Sequence, residues 1–497
     1  MILWKILFVL LLILAALLGI AALRALALHP TAAAAAEPPQ ADAARARKYA
    51  GTLSAMVRQE TVSSRFEPDR EKFLRFQASL APMFPHVFAA CEQAHPGSGL
   101  VLRLAAKAAP KAKPILLMSH HDVVAAPAEG WEHAPFSGDI DADGRVWGRG
   151  TVDTKGSLFC ELQALEELLA EGWQPETDVY ITSSCTEEWS GGCAPAIVEW
   201  LKQRNVHLGM LMDEGGMITK APIGGVQGRY CMVGVLEKGY GDLKFTARGK
   251  GGHASAPAKG TPLPRLGAFM ADVDAHPLFR TELTPAVREM FRRLTPNMSF
   301  GMKLIFGNLW LFGGLVKKLM PAISPAGAAM LHTTCAFTTA KGADGLNILP
   351  SEAYVTANLR FSHHQPNAES IALLTAKAQK YGIETSVIYQ DEPHKPVDWN
   401  GAGFHLLEKT AAKIYPGYGV VPYVMTGGTD AKYYDDVSDD SLRFAPIEID
   451  AQQFGSIHGK NENLFAAALP AAVDFYKEIL RAYSGCADTA SAETEAL

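Results

Sequence analysis

The chain lacks the features that would place it in several large protein classes. Its seven cysteines, Cys91, Cys160, Cys185, Cys193, Cys231, Cys335 and Cys486, are odd in number and widely spaced, and they form no CxxC pair. That pattern excludes a disulfide framework and a cysteine-built structural zinc module. Cys185 and Cys193 read as small core residues. Positive charge is not in excess: the formal net charge is −6, and basic residues are scattered without aromatic interleaving. This leaves no electrostatic footprint for nucleic acid. No internal repeat is visible. Beyond the N-terminus no apolar run is clean enough to span a bilayer. Met298–Met330 comes nearest, but glycines and Lys317-Lys318 interrupt it. It reads as a buried hairpin or subunit contact, or else as an apolar wall for a greasy substrate or a membrane-facing patch.

What is present is ordinary globular material, 48% hydrophobic and 20% charged in 497 residues, enough for two domains. Ile6 to Leu23 carries no charge, follows Lys5 and ends at Arg24. That length suits a membrane anchor better than a shorter signal core, although the alanines from Ala32 to Ala36 would permit cleavage. We therefore expect an anchor or signal over residues 1–24, a tether over 25–45, and a body that is extracytoplasmic, or secreted if the segment is cleaved.

Further on, apolar runs alternate with helical periodicity. Ala46–Glu92 reads as helical, Pro114–Ser119 as a buried strand, and Gly156–Gly172 as a helix. Asp178–Ser184 reads as a strand, Ala194–Arg204 as a helix, and Leu208–Met212 as a strand. The alternation predicts an α/β fold with helices on both sides of a mixed sheet. After about Glu237 the pattern changes to alternating strands, Tyr240–Ala247 and Glu352–Phe361, with a helix over Gly260–Val273. We expect a catalytic domain of residues 46–237 plus 396–484, interrupted by a smaller α+β lid or dimerisation domain over 238–395. A last helix is expected from Asn463 to Tyr483 and a polar tail over 485–497.

Clusters of metal-binding residue types follow the predicted strands. His120 and Asp122 are two residues apart at a strand end, where i and i+2 face the same way, so Asp122 can orient the imidazole while His121 points away. Asp153 lies among Gly148, Gly150 and Gly156. There it can bridge two cations, or simply cap a helix. Glu187-Glu188 follows another strand; buried like charges stay ionised only beside cations, and one of the pair can remain free as a base. Asp213-Glu214 and His458 complete a set of two imidazoles and several carboxylates, a donor set that suits a pair of zinc ions.

The ordered motifs resemble the zinc-dependent aminoacylase and carboxypeptidase family, which includes carboxypeptidase S and N-fatty-acyl-amino-acid hydrolases. They are HxDVV at His120–Val124, GRGxxDxKG at Gly148–Gly156, Glu187-Glu188, GHAS at Gly252–Ser255, Asn347–Pro350, Asn358–Arg360, GGTDA at Gly427–Ala431 and HGxNE at His458–Glu462. Thr186 departs from the Asp that relatives often carry there. The resemblance implies a zinc-exopeptidase-like catalytic domain with two Zn²⁺, cobalt or manganese being alternatives. One metal would be held by His120, Asp153 and an acidic residue at 213–214, with Glu214 favoured, and the other by Asp153, Glu188 and His458. It further implies Glu187 as general base, Asp122 as the orienter of His120, and His253 as oxyanion donor, often across a homodimer formed through the lid. Asn347, Arg360 and Gly428 would bind substrate. The expected reaction is hydrolysis of an amide beside a free-carboxylate amino acid, in an N-acyl amino acid or at a peptide C-terminus. The alternatives are a strict carboxypeptidase S-like enzyme and a catalytically silent binding protein of the same fold.

Overall fold

Uncharged runs rich in Ile, Leu, Met and Val build the middle of a large mixed sheet. The structure, a computed structural model, describes residues 2–66 and 70–485. The expected polar tail, with Cys486, therefore falls outside the described residues except at Gly485. Across the ten-stranded sheet the order is Glu92–Ala94, Leu100–Leu104, Val179–Ser184, Ile115–His120, Leu208–Asp213, Ser438–Arg443, Arg229–Glu237, Ile218–Lys220 and Glu448–Ile449, with Gly419–Met425 also paired to Arg229–Glu237. Ile115, Leu117 and Ile181 enter one core, and Leu116, Met118 and Tyr180 enter another on the opposite face, as the two-residue period of a strand requires.

Helices cover both faces. Lys155–Ala170 fills the first core with Leu158, Leu162, Leu165 and Leu168, and Leu469–Gly485 packs beside it. Cys193–Gln203 fills the second core with Ile197, Val198 and Leu201. Truncating one of these buried leucines to alanine would cost about 2–5 kcal/mol. The expected α/β class is observed.

Strand order positions the site. Ile115–His120 lies between Val179–Ser184 and Leu208–Asp213, and both pairings are parallel. The chain crosses from the first strand to one side and then to the other, which opens a crevice at the carboxyl ends, where open α/β sheets bind ligands. His120 is the last residue of its strand and pairs with Ser184. Glu187 and Glu188 follow three and four residues beyond Ser184, and Glu214 follows Asp213 directly.

A second sheet is antiparallel throughout, in the order Thr334–Lys341, Glu352–Phe361, Gly239–Arg248 and Ile383–Gln390. Pro262–Ala275 and Asn367–Gln379 cover one face. Leu266, Phe269, Leu374 and Ala378 meet Leu243, Phe245, Val355 and Leu359 there in a core of their own. The strict alternation of buried and half-buried residues along Glu352–Phe361 follows from having only one covered face.

Four local expectations differ from the structure. Ala46–Glu92 is broken into Ala43–Val57, Glu71–Leu80 and Pro85–Ala90, and the gap holds Ser63, whose Oγ donates to Asp122 Oδ2 at 2.6 Å. The last helix begins at Leu469, because Asn463–Phe465 is spent as a strand against Arg145–Trp147. The expected tether is docked rather than free: Ala33 is buried, Thr31 N donates to Asn297 Oδ1 at 2.8 Å, and Asp42 caps the helix that starts at Ala43. A Cβ on Gly228 would lie 2.0 Å from Ala33 O, so glycine is what admits the alanine segment. Finally, Met298–Met330 is helical, in Phe300–Phe306, Leu309–Ile323 and Pro325–Leu331. Residues 283–331, read from sequence as part of the insert, contribute Leu283, Val287, Phe291, Val316 and Leu331 to the large sheet's core, because that apolar face has no partner in the small sheet.

Candidate metal centre

The strand ends bring the carboxylates and imidazoles into direct contact. Asp153 stands between two histidines: His120 Nε2 is 2.9 Å from Oδ1 and His458 Nε2 is 3.0 Å from Oδ2. His458 Nε2 is also 2.9 Å from Glu188 Oε2, while His120 Nε2 is 3.6 Å from Glu214 Oε1 and 3.8 Å from Glu187 Oε2. Donor atoms of His120, Glu187 and Glu214, and likewise of His120, Asp153 and Glu188, lie within 4.8 Å of one another. One carboxylate presenting an oxygen to each of two imidazoles has the arrangement that two neighbouring cations require.

Electrostatics favour the same occupants. Burial, reinforced by the neighbouring carboxylates, pushes Glu187, Glu188 and Glu214 above the usual carboxylate range. Burial also acts on Asp153, but hydrogen bonds from His120 and His458 outweigh it and hold that carboxyl low. Asp153 and Glu188 push His458 up to about 10. This many buried acidic groups at contact distance repel one another unless positive charge lies among them, and mixed imidazole and carboxylate donors fit divalent transition metals.

The supporting shell explains why these side chains sit where they do. His120 Nδ1 is 2.9 Å from the main-chain O of Asp122 and 3.5 Å from its carboxylate, so the backbone carbonyl, more than the expected carboxylate, orients the ring. The carboxylate of Asp122 is turned instead to the N–H groups of Glu187 and Glu188, at 3.2 and 3.3 Å. It therefore positions the glutamate pair. His121 points away, as expected: it stacks on Phe76 at 5.2 Å, hydrogen-bonds Ser183 Oγ at 2.9 Å, and burial lowers its pKa to about 3. Asp213 also turns away, accepting from Glu214 N and Ala431 N at 2.8 Å each, and so leaves Glu214 to face His120.

Sequence reasoning missed Glu462 as an organiser. Fully buried, it accepts from the N–H groups of Gly150, Val152 and Asp153 through Oε1, at 2.9–3.1 Å, and from Arg149 Nη1 at 2.6 Å through Oε2. Its signal was the HGxNE motif itself. A second missed pair is Glu237–Arg443, buried at 2.5 Å. Glu237 also receives the N–H and hydroxyl of Thr429, which fixes the turn holding Gly428.

The residues expected from the insert are not part of this cluster. His253 and Asn347 are neighbours, since His253 pairs with Ile348 and Ala254 N donates to Asn347 O at 3.0 Å, and both are exposed. Arg360 lies over the ring of Tyr240 at 4.7 Å. Among the described residues, no hydrogen bond or ion pair joins these three to the strand-end cluster.

A doubly covered mixed sheet with imidazoles and carboxylates clustered at its strand ends defines a metal-dependent hydrolase. Residues 116–482 match the family described as peptidase family M20/M25/M40, and the chain belongs to it. It is 32% identical over 375 residues to a human protein named N-fatty-acyl-amino acid synthase/hydrolase PM20D1, covering 75% of this chain and 74% of that protein. Carboxypeptidase S of Saccharomyces cerevisiae is 26% identical, covering 75% and 72%. Among solved structures, an M20 family metallo-carboxypeptidase of Sulfolobus solfataricus shares the fold with a TM-score of 0.64 at 18% identity, covering 88% of this chain and 99% of that one.

Proposed function

We propose that this enzyme hydrolyses the amide bond of N-acyl amino acids that keep a free carboxylate, using two zinc ions and tethered to a membrane by its N-terminal helix. The observation that carries the reading is Asp153 presenting one oxygen to His120 and one to His458, with Glu187 3.8 Å from His120. His120, Asp153 and Glu214 would hold one ion, and Asp153, Glu188 and His458 the other. Bound there, the ions would polarise the amide carbonyl and lower the pKa of the attacking water.

The remaining work falls to side chains. Glu187, with its affinity for protons raised by burial, takes the proton of the attacking water and passes it to the leaving nitrogen. Asp122 holds the glutamate pair in place through their N–H groups. His253 donates to the developing oxyanion, from a closing lid or a second copy. Arg360 and Asn347 receive the carboxylate, and the turn at Gly428 lines the site. The named activity of the human relative supports this substrate class.

The N-terminal helix Ile2–Leu26 is long and apolar enough to cross a membrane and is almost wholly exposed. The docked contacts of residues 31–36 support an anchor over a segment cleaved in that stretch. The match to carboxypeptidase S favours a second reading, in which the bond cleaved is a C-terminal peptide bond. A panel of oleoyl-amino acids, acetyl-amino acids and blocked dipeptides separates the two. The proposal expects the oleoyl compounds to give the highest kcat/KM; turnover confined to dipeptides would establish the carboxypeptidase.

A further inference from the structure

We infer that the enzyme rests on the bilayer through a second surface, the exposed ridge of the Leu309–Ile323 helix, which meets the acyl–headgroup boundary beside the N-terminal anchor. Leu315, Leu319 and Ile323, spaced by four, form one stripe and are 46, 47 and 78% exposed, and Trp310, at the other edge of the bare side, is 52% exposed. Phe300, on the preceding helix, is 50% exposed. The opposite side of the same helix is seated in the body, with Gly313 and Val316 buried and a Cβ on Gly313 lying 3.4 Å from Leu283. A helix half in the core and half bare, with large apolar side chains on the bare side, calls for a partner.

Continuity with the anchor identifies that partner as lipid. Asn308 Nδ2 donates to the main-chain O of Ala21 at 3.0 Å, and Lys303 Nζ donates to that of Leu28 at 2.7 Å. Ala21 and Ala25, the buried residues of the N-terminal helix, mark where it touches the body. From Ile2 to Ala21 the helix rises about 30 Å, the thickness of the hydrocarbon core. Ala21 then lies at the boundary on the body's side, one turn before the charge of Arg24. The bond from Asn308 sets the start of the Leu309–Ile323 helix at that same level. Residues 298–331 hold no acidic residue; Lys317 is paired with Glu282 at 3.2 Å, and Lys318 is exposed on the ridge, where a lysine can reach from the apolar boundary to the headgroups. Tryptophan at such a boundary is a common anchor.

This inference rests on the anchor reading, and the experiment separates the two. The full chain is placed in phosphatidylcholine–phosphatidylserine vesicles containing acyl-chain-brominated lipid. Fluorescence of the wild type, W4F and W310F then isolates the contributions of Trp4 in the anchor and Trp310 in the ridge. Both are expected to be quenched by bromolipid, with Trp310 shielded from aqueous acrylamide. The L315D/L319D double variant, altered only at exposed positions, should return Trp310 to acrylamide while Trp4 stays quenched, and should keep the circular dichroism of the wild type. If Trp4 is quenched but Trp310 is reached by acrylamide, the ridge is in water and this inference falls while the anchor stands. Trp310 shielded from both quenchers would mean a second copy covers the ridge, which also overturns it. Lack of bromolipid quenching at Trp4 would remove the anchor and the inference together.

Discussion

The strand-end cluster and the region that follows Glu237 hold their candidate side chains in opposite ways. His120, Asp153, Glu188 and Glu214 are buried or nearly so, His458 reaches them from an exposed loop, each of the five lies within ion-pair distance of another, and the buried carboxylate of Glu462 braces the loop that carries Asp153. His253 and Asn347 are exposed on a two-residue strand and its flank, and Arg360 leans on a tyrosine. On the proposed function, the difference reflects two tasks. Groups that share charge at contact distance must be pre-organised, whereas groups that read a substrate must stay open until it arrives.

If that division holds, variants in the two regions should separate into losses of chemistry with losses of stability, and losses of affinity alone. The largest effect is expected for Asp153→Asn, which weakens both imidazole contacts at once. Activity should fall roughly 10³-fold or more, as removal of several kcal/mol of transition-state stabilisation implies, with metal content by elemental analysis falling in parallel. Glu462→Gln should come next. It leaves Arg149 buried without its charged partner, which costs about 3–5 kcal/mol and is read as a lowered Tm, with activity reduced about 10–100-fold through the misplaced Asp153 loop. Arg360→Ala should raise KM for carboxylate-bearing substrates about tenfold or more with Tm unchanged. A fall in Tm comparable to that of Glu462→Gln would show that Arg360 is structural and would break the comparison.

The smallest effect is expected on the helix Pro262–Ala275 that covers the small sheet. Lys377 and Tyr381 hold the carboxyl of Asp272 at about 2, below its ordinary 3.8. A depressed carboxylate pKa adds stability that is present above the ordinary value and is lost as pH falls through about 2. Thermal melts should therefore show Asp272→Asn slightly below wild type at neutral pH, with the gap closing between about pH 4 and pH 2.

How much was readable in advance followed from how local each signal was. The strands ending at His120, Ser184 and Asp213 were visible because a central strand covered on both faces must be apolar along its length. The metal-ligand residue types stood out because acidic pairs directly after such strands have few other uses. Glu462 was quoted within its motif yet its task was invisible, since its partners are backbone N–H groups more than 300 residues away. Asp122 was expected to serve His120 through its carboxylate, which lies 3.5 Å from the ring; that it also accepts from the N–H groups of Glu187 and Glu188 depends on how two strand ends meet. The helices of 283–331 were placed with the insert because an apolar periodicity says that a face is buried without saying against which sheet.

The most direct test concerns Glu187, whose position beside His120 and Glu214 suits either a ligand or a base. Glu187→Gln should be purified, its metal content measured, and its single-turnover hydrolysis of an oleoyl-amino acid followed. The account predicts two divalent ions per chain, as in the wild type, with the hydrolytic rate lowered about 10²–10⁴-fold. Loss of one ion would make Glu187 a ligand, and turnover at the wild-type rate would leave it without a catalytic task; either result would contradict the account.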